Sequence, residues 1–269
     1  MSRRTRDFLG ALGIDFTTRP GLPDPCVLQQ STCLRFLRLA YQQWRLDQGC
    51  LKALPTFTTV AILQELGDVL DLLPDVYLSS EALACHLQER RLDLLVSSCL
   101  DLGGELIAEA LDHPDSPFLA VPLFSDSVKL ALNPAHPLAG ASQANPEDCQ
   151  PFSSPAYPSG IARRAADALK RRGLWRYACK RPSFEPAEWL LGMRSSTGLC
   201  YASGLLLESV PACRDLVLVP FANTLQQTTY AVMLKEVSST PSMQRAVNAI
   251  RRSTRCALNR IPFEAALAS

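Results

Sequence analysis

The sequence predicts a two-lobed α/β protein, and three observations carry that expectation. Residues 50–98 run strand, helix, strand, helix, strand, an alternation that builds a parallel sheet with ligand sites at the carboxyl ends of its strands. A second α/β unit is inserted into the first, with strands near 117–124 and 228–237 as the two crossings. Ahead of both units lies a long helix with apolar residues in steps of three and four.

In chain order, residues 1–19 open with Arg3, Arg4 and Arg6, followed by Phe8, Leu12 and Phe16 at a spacing of four. This predicts a short basic amphipathic helix, stopped at Gly13. Taken alone, such a charged face more often marks a solvated helix than a contact with nucleic acid. PGLPDP, 20–25, is a rigid turn segment. From Pro25 to Gln48 a long helix is predicted, with Val27, Gln30, Leu34, Leu37, Tyr41 and Trp44 on one seam of coiled-coil type. Phe36, Leu39 and Leu46 fall off that seam, which leaves more apolar surface than one contact needs. A helix that both links and dimerises fits this surplus.

Leu51 to Leu54 reads as a strand stopped by Pro55. Thr56 or Thr58 can cap the helix that follows, whose apolar residues are Val60, Leu63, Leu66, Leu70 and Leu73. Val76 to Leu78 is the next strand, and Ser79 or Ser80 caps a helix over Glu81 to Glu89. Leu92 to Val96 is apolar on both faces apart from Asp93, as a strand covered on both sides should be. Phe118 to Phe124 and Val128 to Leu132 are two strands joined near Ser125 and Asp126. NPAHPLAG, 133–140, is rich in turn residues. Ser159 caps a helix over Ile161 to Arg172, and Tyr177 to Arg181 is a short strand. A helix near Pro186 to Arg194 precedes strands at Leu199 to Ala202, Leu216 to Phe221 and Thr228 to Val237. Ser242 to Arg260 closes the pattern as a helix with Met243, Val247, Ile250, Thr254 and Leu258 on one side.

Composition narrows the function. With 269 residues there is room for about two domains, at roughly 100–200 residues each. The formal net charge of +1 gives no global pull toward nucleic acid or membrane. None of the ten cysteines sits at the spacing of a metal or redox motif, so most are expected to be reduced packing residues. Asp112, His113 and Asp115 fall in a proline-bounded loop and read as a solvated turn, so no metal and no cofactor is expected. There is no nucleophile elbow, phosphate loop or pair of histidines at ligand spacing, and no enzymatic activity is expected. MSRRTRDFLG lacks a signal-peptide core, and no apolar window reaches the roughly 20 residues of a membrane span. A cytoplasmic location without membrane contact is expected.

Several stretches resemble LysR-type transcriptional regulators. SRRTRDFLGALGIDFTTR is similar to the family's recognition-helix segment, S-x-x-I-x-x-L-E-x-x-L-G-x-x-L-F-x-R, at Ser2, Phe8, Leu12, Gly13, Phe16 and Arg19. LKALPTFTT resembles its first regulatory strand and effector-contacting turn, and ERRLDLLVSS resembles its G-x-L-D-L-A-I strand. NPAHPLAG matches its H-P-L-A turn, the most specific of these signals. PSGIARRAADALKRRG and STGLCYAS follow in the family's order. The departures are Leu9 for the family's glutamate, Gly10 beside it, VLQQS for L-T-x-A-G, and Thr17 for a phenylalanine. The family's two helices before the recognition helix have no counterpart ahead of Ser2, so the helix-turn-helix is expected to be truncated or degenerate.

The resemblance implies two Rossmann-like lobes of the type II periplasmic-binding-protein kind. It places a partial winged helix-turn-helix at 1–24, a linker and dimerisation helix at 25–49, and an effector-binding domain at 50–269. The first lobe would comprise about 50–123 and 228–269, the second about 124–227. It implies promoter DNA contacted by Ser2, Arg3, Arg4 and Arg6, with arginines mostly on phosphates. A small effector, with an anion favoured at helix N-termini, would be held by Thr56, Thr58, Ser159 and Gly160, although plain capping explains the hydroxyls equally well. Leu34, Leu37, Tyr41 and Trp44 would pair two copies, giving a homodimer or homotetramer. The rival expectation is a cytosolic sensor of a small molecule or partner that has lost DNA binding.

Overall fold

The computed structural model describes residues 32–55, 59–73, 80–100, 113–149, 194–205, 215–222 and 225–260, two short strands before them and a few isolated positions. Strand β1 (Phe16–Thr17) pairs antiparallel with β2 (Cys26–Val27), Phe16 opposite Val27. Val27 therefore leaves the helical seam: its backbone is committed to a ladder, and α1 (Thr32–Gln48) starts later than its apolar spacing suggested. Gly49 ends α1 at φ 76°, with its N–H on the Leu46 carbonyl and that of Cys50 on the Arg45 carbonyl. This left-handed turn satisfies carbonyls that the helix leaves open, and glycine enters it without strain.

A seven-stranded sheet follows. Strand β3 (Leu51–Leu54) lies between two parallel neighbours, β4 (Leu70–Leu72) and β5 (Leu94–Leu100). Helix α2 (Val60–Gln64) is only five residues long. The expected long helix stops there because Gly67-Asp68 turns the chain, and Leu70 and Leu72 bond to β3 as strand residues. The second strand is thus β4; Val76 to Leu78 lies outside the described residues. Helix α3 (Ser80–Gln88) covers the sheet before β5.

Beyond β5 the pairing turns antiparallel, in the order β5, β9 (Leu225–Leu234), β6 (Phe118–Leu132), β7 (Cys200–Ser203), with β8 (Val217–Val219) also on β6. The two strands expected on either side of Ser125-Asp126 are one strand of 15 residues. Thr228 and Gln227 of β9 stand opposite those two residues and keep the ladder running, with one register shift between Pro122 and Phe124. A 3-10 turn (Lys235–Val237) then leads to α4 (Pro241–Arg260), which packs on α1, α2, β3 and β6.

Strand β6 serves two hydrophobic cores. Phe118 and Ala120 join Leu51, Leu94, Val232, Met243 and Ile250 in the larger one. Val128, Leu130 and Leu132 join Tyr201, Val219 and Phe221 in the smaller. Met243, Val247, Ile250 and Thr254 of α4 are buried, as their spacing predicted. The helix expected over Ile161 to Arg172, the strand over Tyr177 to Arg181 and most of the helix near Pro186 to Arg194 lie outside the described residues.

Candidate functional site

Helix α1 turns a polar stripe inward and apolar residues outward. Gln42, Arg45 and Leu46 are buried, at spacings of three and one along the helix. The two polar groups close on Asp93, which is 1% exposed at the head of β5. Arg45 grips it with both ends of its fork, Nε to Oδ2 at 3.1 Å and Nη2 to Oδ1 at 2.7 Å. Gln42 Nε2 donates to Oδ1 at 2.9 Å, and the Lys52 backbone N–H to Oδ2 at 2.9 Å. Four donors on one carboxylate answer the cost of burying it, since a buried charge persists only when paired and hydrogen-bonded. Nearer the solvent, Arg38 pairs with Glu89 at 3.1 Å. The Ser242 hydroxyl donates to the Leu46 carbonyl and ties the end of α1 to α4.

The opposite surface of α1 is greasy. Phe36 is 65% exposed and Trp44 55%, and Leu37, Leu39 and Tyr41 are exposed beside them. Tyr41 and Trp44 stack at 5.7 Å, and the Arg45 guanidinium lies 4.6 Å from the Tyr41 ring centre. Leu37, Tyr41 and Trp44 belong to the predicted seam, with Leu34 half-buried at its start. Leu46, expected as surplus apolar surface, is instead core. Phe36 and Leu39 flank the other side of the buried stripe. They overhang a groove of about 760 Å³ whose far wall is Gln88, Arg90, Leu234 and Glu236.

Thr56, Thr58, Ser159 and Gly160 lie outside the described residues, as do Ser2, Arg3, Arg4 and Arg6. The residue at the N-cap of α2 is Thr59, which is buried and makes no side-chain capping bond. Close by, Ile62 of α2 packs on Leu205 just past β7, with Phe124 of β6 against them. Ser125 and Thr228 bond through their hydroxyls at 2.8 Å, and Asp126 Oδ2 accepts the Leu205 N–H at 3.3 Å. The two crossing strands thus pair beside a small apolar cluster that is separate from both cores. His113 and Asp115 are exposed, in keeping with a solvated turn.

Two turn and thiol environments complete the picture. His136 of the H-P-L-A turn is buried, its Nδ1 accepting the Leu138 N–H at 3.1 Å and its ring 4.3 Å from that of Phe152. Among the described residues its Nε2 has no hydrogen-bond partner, and burial pushes its pKa below the usual 6.5. Burial also pushes the Cys213 thiol up to about 11, with Asp215 adding to the shift.

The polar clamp escaped prediction because its partners are 48 and 51 residues apart. One signal was present: a lone carboxylate in a strand apolar on both faces demands a cation from elsewhere.

A family model described as the LysR substrate binding domain matches residues 53–255. A search of curated proteins gave no match. Among solved structures, a cysteine mutant of Corynebacterium glutamicum OxyR with bound H2O2 is similar at TM-score 0.61 and 13% identity, over 94% of this chain and 83% of that one. Full-length OxyR from Pseudomonas aeruginosa, also a cysteine variant, gives 0.57 and 16%, over 95% and 89%. The regulatory domain of MetR, a LysR family regulator from N. meningitidis, gives 0.56 and 15%, over 78% and 96%.

Proposed function

Because the chain belongs to the family of the LysR substrate binding domain, we propose that it is a ligand-responsive transcription regulator that pairs through α1 and contacts promoter DNA through residues 1–19. The observation that carries this reading is the outward face of α1. Leu37, Tyr41 and Trp44 stay in water while the opposite face is bolted to the domain by a buried carboxylate. A helix so fixed offers one side to a second copy, and pairing two heads is what reading two DNA half-sites requires. Leu34, Leu37, Tyr41 and Trp44 form that seam.

Ser2, Arg3, Arg4 and Arg6 are the proposed DNA contacts. The proposed effector is a small molecule, with an anion favoured, held by Thr56, Thr58, Ser159 and Gly160. The family is the support for this placement, and α2, at five residues, adds no helix-end argument of its own. Effector binding would act by preferring one disposition of the lobes over another, which requires a difference in affinity between the two. A peroxide-sensing thiolate gains no support at Cys213: reactive cysteines have lowered pKa values, and this one is raised.

Titration of the purified chain with the DNA upstream of its own coding sequence, across a salt series, tests the regulator reading. Sequence-selective binding that weakens steeply with salt is the expected result. Binding no tighter than to random DNA at every salt concentration would reject a DNA-contacting role for residues 1–19.

A further inference from the structure

We infer that Arg90 is a bolt that ties the seating of α1 to the end of the crossing strand β9. The first observation is conformational. Arg90 has φ 59° and is the one non-glycine residue in the left-handed region among those described. It follows α3, where the Arg90 N–H reaches the Leu87 carbonyl at 3.0 Å and the Arg91 N–H reaches the His86 carbonyl at 2.9 Å. That bond pair marks a helix end at which glycine is the usual residue. The local sequence agrees, since Arg90 stands where the G-x-L-D-L-A-I pattern has its glycine. An arginine here accepts backbone strain that glycine avoids, and such outliers persist where the surroundings hold them in place.

The second observation is what holds it. Arg90 Nη1 donates to Gln42 Oε1 at 2.6 Å and lies 2.5 Å from Glu236 Oε1. The Arg90 carbonyl accepts from Arg45 Nη2 at 3.2 Å. Both polar residues of the buried face of α1 therefore touch Arg90. Through its guanidinium Gln42 is joined to Glu236, in the 3-10 turn directly after β9, while Arg45 holds the Arg90 backbone. Strand β9 pairs with β6 from Val128 back to Phe118, passing from the residues of the smaller core to those of the larger. A shift of its end relative to β5 is thus felt by α1 through one side chain. A glycine at this place would keep the turn and lose the connection.

Hydrogen exchange on the full chain, read over α1, tests the bolt. Arg90→Gly suits the backbone, so its melting temperature should be unchanged or higher, which separates the result from unfolding. The α1 amides should nonetheless exchange about tenfold faster or more. Glu236→Gln, at a residue linked to α1 through Arg90, should raise α1 exchange in the same direction. In the Arg90→Gly background it should add nothing, the signature of a shared path. Repeating the series in a Leu37→Glu background removes protection by a second copy, so the result does not depend on pairing. Unchanged α1 exchange in Arg90→Gly, or equal effects of Glu236→Gln with and without Arg90, would overturn the inference.

Discussion

Asp93 is where one residue decides the seating of a helix. Its carboxylate is buried and takes four hydrogen bonds, two from a guanidinium that is itself 5% exposed in its side chain. Removing one member of such a pair leaves the other charge uncompensated, which costs about 3–5 kcal/mol, whereas replacing both with apolar groups of similar size is often near neutral. Asp93→Ala should therefore lower the unfolding free energy by about 3–5 kcal/mol in urea titrations. Asp93→Asn should lose nearly as much, because shape survives while the charge opposite Arg45 does not. The double change Arg45→Met with Asp93→Leu should recover a large part of the loss. A double variant as unstable as Asp93→Ala would show that packing, not the buried charge, sets the cost.

At the scale of elements, α1 shows two chemistries on one helix. The inward stripe is satisfied by Asp93, Arg90 and the Leu46 packing, so the outward seam has no core of its own to join. Burying a large apolar side chain is worth about 1.5–3 kcal/mol, and seam positions in a two-helix pair are counted twice. Leu37→Glu or Trp44→Glu should raise the dimer dissociation constant at least about a hundredfold in sedimentation equilibrium, roughly 2.7 kcal/mol. A wild-type chain that stays monomeric at high micromolar concentration would remove α1 from the assembly altogether. The exposed apolar face at Leu37, Tyr41 and Trp44 was legible because steps of three and four need only local sequence, and the same holds for the buried side of α4, whereas Val27 was lost from that face to a strand pairing. Strand β4 was not, since Leu70 and Leu73 fit a helical spacing as well as a strand, and only pairing with Leu51 to Ala53 decides between them. Likewise Ser125 and Asp126 look like a turn until Thr228 and Gln227 arrive from a hundred residues away. Local period is written in the chain; partners that fold back from far along it are not.

At the scale of the molecule, the titrating groups bracket a window of stability. Burial lowers the pKa of His136, and burial together with Arg91 and Arg38 lowers that of His86 against an opposing pull from Glu89. Folded histidines with depressed pKa values bind fewer protons than the unfolded chain, whose histidines titrate near 6.5. Their contribution is therefore neutral above that pH and turns against folding as pH falls through about 6.5 toward the folded values. Cys213, near 11 when folded against an ordinary value near 9, acts at the other end, as does Cys85, raised by burial and by Glu89. The unfolded thiols release protons first, so stability declines as pH rises past about 9. Unfolding free energy measured in urea should form a plateau near pH 7–8.5, sloping down on both sides. His136→Gln should flatten the acidic slope between pH 7 and 5.5, where carboxylates contribute little. Because its ring Nε2 has no hydrogen-bond partner among the described residues and the ring packs beside Phe152, the part of the slope that His136 contributes comes from desolvating the imidazolium. The His86 part also carries repulsion from Arg91 and Arg38. Added salt should therefore leave the difference in slope between wild type and His136→Gln in place, and a difference abolished by 0.5 M NaCl would contradict this origin.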